Sequence, residues 1–265
     1  MAAGKRWTRD ELLVGINLYH KLRFGQLHTG TPAIVDLAEK LGRSVGSVAM
    51  KLNNFASLDP VLKLRGIKGL EGASALDRSI WTEFHTQPEV LVPESEAVLR
   101  KLFAVDDDNV VDVLPKIGVR VVARPNAGVT ETLAQVKQRR GQEFFRVSVL
   151  NNFGGRCGVT GLAVRELLVA SHIVPWGTHP EHRLNVCNGL SLSRLHDAAF
   201  DRGLITFSED LRMVLSSRLS DFLGQKCVAE NFGAYAEAPL ELPDDAVLPD
   251  PELLALHRSG IFCKA

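Results

Sequence analysis

Between Leu167 and Gly203 the hydrophobic pattern changes several times over a short stretch, and few folds accept that order. An apolar run, Leu167 to Ala170, has strand character and ends at Ser171-His172. A loop with proline and glycine follows (IVPWGTHPEHRLNVC), and Asn188-Gly189 opens a second strand, Leu190 to Leu192. Ser193 is then placed to cap a short helix carrying His196 and Phe200, which Asp201-Arg202-Gly203 closes. Strand, loop, strand, helix sets one histidine at a strand end, one asparagine at the hairpin and one histidine in the first turn of the helix.

Those three side chains can converge on one cleft. A neutral imidazole takes a proton from water, an amide fixes a loop, and a second imidazole can hold a divalent cation. Phosphodiester hydrolysis needs little more, because the cation stabilises charge on the non-bridging and leaving oxygens.

The front of the chain is helical in pattern. Residues 7–22 read as an amphipathic helix with Thr8 and Glu11 as a capping box. Ile34, Leu37, Ala38 and Leu41 mark a second helix ended by Gly42. Ser44 can cap a third, which carries Val45, Val48, Ala49 and Leu52. Helix, glycine turn, helix is the spacing of a helix-turn-helix, with Ser47, Lys51 and Asn54 expected to face outward toward phosphates or base edges. The alternative is a plain three-helix bundle. The opening Trp-Thr with acidic residues also resembles the first helix of Myb-type trihelical domains.

Charge supports a polyanion partner only in its distribution. The chain has 31 basic and 31 acidic residues, which excludes a uniformly basic nucleic-acid coat. Yet residues 1–68 sum to +6, 69–113 to −7, 114–146 to +5 and 236–265 to −4. Two basic blocks around an acidic one suit a two-module binder, or are simply solvated faces. A 45% hydrophobic and 23% charged composition excludes wholesale disorder. The four cysteines form no CxxC pair, which argues against a disulfide framework or a four-cysteine zinc site. With neither a signal-like start nor a membrane-length apolar stretch, an intracellular soluble protein is expected.

The segment from about 136 to 220 resembles the HNH nucleases of the ββα-metal fold, in a group found in bacterial restriction enzymes. The resemblance rests on Arg139-Arg140-Gly141-Gln142, Phe145-Arg146, Cys157-Gly158-Val159-Thr160-Gly161 and Ala170-Ser171-His172-Ile173-Val174-Pro175-Trp176. It continues through Arg183, Asn188-Gly189-Leu190, His196 and Phe200-Asp201-Arg202-Gly203-Leu204-Ile205-Thr206-Phe207. It implies His172 as general base, Asn188 as the brace of the metal loop and His196 as a metal ligand, with Asp201 a further candidate ligand. Ser171 stands where related nucleases often carry another ligand, so few protein ligands are expected, which suits Mg²⁺ or Mn²⁺. Arg139, Arg140 and Arg146 would either grip phosphates or pair with acidic neighbours. His179 and His182, at HxxH spacing, are expected to be bystanders.

The sequence therefore predicts an α+β protein with a helical DNA-binding-like domain at 1–113, a linker at 114–131 and an HNH nuclease domain with its extension at 132–265. The resemblance implies a bacterial, cytoplasmic, metal-dependent endonuclease acting on duplex DNA, in a restriction setting that could require modified DNA. Cleavage of both strands with one site per chain implies a homodimer. The rival readings are a non-catalytic DNA-binding regulator with a decayed nuclease fold, or a nicking or RNA-directed nuclease.

Overall fold

The computed structural model describes residues 6–67, 69–70, 72–106, 108–124 and 132–262. The chain forms two compact units, Met1–Ser148 and Val149–Ala265. Helices dominate the first and small antiparallel hairpins punctuate both, an α+β fold as the sequence predicts. No helix among the described residues is long and apolar enough to cross a membrane.

In the first unit, α1 (Arg9–His20) begins at the expected capping box: Glu11 N–H donates to the Thr8 hydroxyl, and Thr8 N–H to the Glu11 carboxylate. Leu12, Leu13 and Ile16 are fully buried, each contributing about 1.5–3 kcal/mol of hydrophobic stabilisation. Helix α2 (Pro32–Leu41) stops at Gly42, whose φ of 61° is the left-handed conformation that glycine tolerates best. Ser44 then caps α3 (Val45–Ala56). After the short α4 (Pro60–Leu64) come α5 (Ala75–Thr86) and α6 (Pro88–Leu102), and both pack against α1.

The charge blocks are partly neutralised inside this unit. Lys21 pairs with Glu96, Lys51 with Asp77 and Arg9 with Glu83, so basic residues of the first block meet acidic residues of the second. This corrects the outward placement of Lys51 and Asn54. Helix α3 packs against α1, α2 and α5, which leaves it too little open circumference to free positions 51 and 54. Lys51 Nζ donates to both Asp77 carboxylate oxygens at 2.8 Å, and Asn54 is buried with Nδ2 donating to the Gly72 carbonyl at 3.3 Å. Ser47 remains half-buried, near the exposed Ser44, Gly46 and Met50.

The expected linker also begins as ordered structure. Strands β1 (Asn109–Leu114) and β2 (Gly118–Ala123) form an antiparallel hairpin with Leu114 opposite Gly118. The valine alternation that reads as breaker-rich connection is a strand pattern. Asp36 of α2 accepts the Val119 N–H at 2.7 Å, fastening the hairpin to this unit. The rest of that expected linker, 125–131, lies outside the described residues. Helix α7 (Leu133–Asn152) follows. On it Arg139 pairs with Glu143 at 3.1 Å, and Glu143 also receives Arg124 at 3.2 Å, so Arg139 takes the acidic-neighbour alternative. Arg140 and Arg146 are half-buried.

The second unit is built on β3 (Leu168–His172) and β4 (Gly189–Ser193), antiparallel with His172 opposite Gly189. Helix α8 (Arg194–Asp201) leaves β4 directly, capped by Ser193, and packs on both strands. The CGVTG turn is pinned to β4, because Gly158 N–H donates to the Ser191 carbonyl at 2.8 Å and the Cys157 thiol accepts Ser193 N–H at 3.2 Å. A side chain at Gly158 would collide with Phe153 and Leu240 at 2.8 Å. Cys157 is thus a buried structural thiol, and Cys263 lies outside the described residues. Strands β5 (Ile205–Phe207) and β6 (Met213–Leu215) form a second hairpin, followed by the short α9 (Ser217–Ser220) and α10 (Lys226–Asn231). The last helix, α11 (Pro251–Gly260), packs on β5.

Candidate active site

His172 ends β3, and its ring is oriented from the loop rather than from the strand. Its Nε2–H donates to the Arg183 carbonyl at 3.0 Å, so in the neutral ring Nδ1 carries the lone pair. Trp176 meets the imidazole edge-on, with ring centres 5.4 Å apart. Burial holds the His172 pKa below its ordinary value, while the Arg183 hydrogen bond and the nearby Asp197 charge pull it back up. The neighbouring Ser171 is buried. Alternation along a strand sends it to the opposite face, so it is no ligand at this end.

Asn188 is fully buried and holds the loop between the strands at two points. Its Oδ1 accepts Val174 N–H at 2.9 Å, and its Nδ2 donates to the Val174 and His182 carbonyls at 3.3 and 3.1 Å. A carboxamide offers an acceptor and two donors together, as backbone capture on both limbs requires. Because His182 precedes Arg183, this clamp also fixes the carbonyl that orients His172.

His196 is buried, with both ring nitrogens hydrogen-bonded inside the protein. Its Nδ1 accepts from the Ser193 hydroxyl at 2.8 Å and its Nε2–H donates to the Asn231 carbonyl at 2.8 Å. The ring is 1% exposed and packs against Phe232. Burial lowers its pKa, so it is held neutral. In this structure both ring nitrogens are engaged by protein groups, so neither is turned to a cation as it stands. The helix turns about 100° per residue, so the next residue, Asp197, stands on a different side of α8 and is half-buried. The Asp197 charge raises the pKa of His172 and of Asp201 alike, which sets this carboxylate within electrostatic reach of both. Asp201, one turn along α8, has its carboxyl held above the usual range, first by partial burial and then by Asp197, against the pull of Arg202. The sequence signal for Asp197 is present, an Asp pair at i and i+4 in LHDAAFD, but His196 beside it draws the eye.

Among the described residues no three His, Cys, Asp or Glu side chains gather into a metal cluster. A closed tetrahedral zinc set is therefore not the donor arrangement here. An imidazole with a carboxylate within electrostatic reach could contribute to a divalent-ion site whose remaining positions water and phosphate oxygens would fill. His179 and His182 stand on the loop, His179 hydrogen-bonded to Thr178 at 2.9 Å and His182 beside Glu181 at 3.7 Å, apart from this pair.

Residues 157–208 match the model of the HNH endonuclease family HNH_2, the span that holds the CGVTG turn, both strands, Asn188 and α8. The chain carries an HNH endonuclease domain in its C-terminal part, behind an N-terminal helical domain. This supports nuclease action on DNA in general, and nucleases of this class work with a divalent metal ion. No curated protein matches the chain.

Proposed function

We propose that this protein is a divalent-metal-dependent endonuclease of duplex DNA in which His172 is the general base. The observation that carries the reading is the imidazole at the strand end, its Nε2 committed to the Arg183 carbonyl, inside the span that matches the HNH endonuclease family.

Burial lowers the His172 pKa, which favours the neutral imidazole that takes a proton from an attacking water. The imidazolium that forms is stabilised by Asp197 and kept in orientation by the Arg183 carbonyl. Asn188 holds that carbonyl still, so the base does not reorient during the step. Asp197 replaces His196 as the α8 residue that would hold the cation, with Asp201 one turn away as a weaker second donor. A divalent ion bound there would neutralise charge on the non-bridging and leaving oxygens of the phosphate.

One such centre per chain cuts one strand, so cleavage of both strands requires two chains acting together. The N-terminal unit would approach DNA at the start of α3, where Ser44, Gly46, Ser47 and Met50 leave room for a groove, and not through Lys51 or Asn54. Restriction of foreign DNA, modified or unmodified, in a bacterial cytoplasm is the setting this reading favours. The two-residue donor set also favours one second reading, a DNA-binding protein whose nuclease centre has decayed.

Incubation of purified protein with modified and unmodified plasmid in Mg²⁺ and Mn²⁺ tests both readings. Cleavage that chelation abolishes, and that His172→Ala lowers by about 10²–10⁴-fold with folding intact, is the expected result. Intact plasmid under every condition, with DNA binding retained, establishes the second reading instead.

A further inference from the structure

Arg183 contributes its backbone to the base, and its side chain is held independently. The Nε–H donates to the Trp176 carbonyl at 2.8 Å, and the guanidinium lies over the Trp176 ring, 5.3 Å from its centre. The same ring stands nearly perpendicular to His172, with ring centres 5.4 Å apart, so guanidinium, indole and imidazole form one continuous unit. Residue 183 is half-buried, and among the described residues no carboxylate pairs with it and its two Nη groups make no hydrogen bond. An arginine fixed by Nε and by stacking, with both Nη groups unengaged, is pre-organised for two-point contact with an anion.

Resting on the reading of this centre as a nuclease, we propose that Arg183 grips a backbone phosphate flanking the one His172 attacks, with Trp176 as its platform. The residue then serves twice: its carbonyl orients the base, and its guanidinium sets the register of the strand against that base. Loop geometry links the two tasks, because the clamp of Asn188 on the His182 carbonyl fixes residue 183 as a whole. A lysine supplies the charge but neither the fork nor the stacking, so it restores the function only in part.

The test uses the full chain in steady-state cleavage of a labelled duplex and, separately, in duplex binding with EDTA across a salt series. Arg183→Gln is expected to raise KM about tenfold, the scale of a lost charge-assisted hydrogen bond, with a smaller change in kcat. It should also reduce the slope of log affinity against log salt by about one phosphate contact. Arg183→Lys should recover the salt slope but only part of KM. Trp176→Phe should stay near wild type, and Trp176→Ala should follow Arg183→Gln. The kcat pH profile should hold its position in Arg183→Gln, since the partner of His172 is a backbone carbonyl. If wild type cleaves but both Arg183 variants keep its KM and salt slope, whatever their thermal stability, the phosphate grip is wrong while the nuclease reading stands. If wild type neither binds nor cleaves duplex, both fall together.

Discussion

His257 makes the second unit sensitive to acid. It lies in α11, outside the segment matched to the HNH family, and is 1% exposed. The Thr206 hydroxyl meets its Nδ1 at 2.9 Å, its Nε2–H donates to the Phe200 carbonyl at 3.1 Å, and its ring stacks on Phe200 at 3.7 Å, nearly parallel to it. Burial pulls its pKa down to about 4, with Arg258 adding to the effect and the Phe200 hydrogen bond opposing it. A histidine depressed in the folded state is protonated more readily in the unfolded chain. Stability is therefore unaffected above about 6.5 and falls as the pH drops from there toward 4. From those two values the loss is about 2 kcal/mol by pH 5 and approaches about 3 kcal/mol below pH 4. Glutamine can accept from Thr206 and donate to Phe200 without titrating, so His257→Gln isolates the effect. Urea unfolding at pH 7.5 and pH 5, followed by circular dichroism, should show wild type losing about 2 kcal/mol more than the variant over that interval. The other buried histidines cancel in this comparison. Equal losses in the two proteins would refute the reasoning, and with it the view that α11 braces the end of α8.

Asp197→Asn should abolish divalent-dependent cleavage while leaving thermal stability nearly unchanged. His196→Gln should lower the melting temperature yet retain measurable metal-dependent activity, and the reverse pattern would restore His196 as the ligand. Lys51→Met leaves the fully buried Asp77 carboxylate without its cation and should cost about 3–5 kcal/mol of stability. Duplex affinity of the folded Lys51→Met fraction, measured by anisotropy, should match wild type; a weakened affinity there would return Lys51 to the DNA surface.

Much of the site's frame was readable in the residue order, because it is local. The periodicity around Leu168–His172 and Gly189–Ser193, the Ser193 cap and the closing Asp201-Arg202-Gly203 define strand, strand and helix through contacts close in sequence. Asn188 was legible for the same reason, since a buried amide between two strands has only nearby backbone to satisfy. The valine alternation at 109–123 is interrupted by turn residues of the kind that also mark linkers, so the pairing of the two strands shows only in the folded chain.

Three features came only from tertiary structure. His196 is committed to the core by the Asn231 carbonyl, a partner 35 residues away that the local pattern does not announce. Whether Lys51 meets DNA or Asp77 depends on α5 arriving from 26 residues away to cover it. The brace at His257 joins residues 51 and 57 positions apart. Sequence alone determined which chemical groups stand on which element, since caps, turns and periodicity act over a few residues. Which of those groups is committed to the core and which remains turned toward a substrate was decided by long-range packing, because a polar group removed from water must find its partner wherever the fold supplies one.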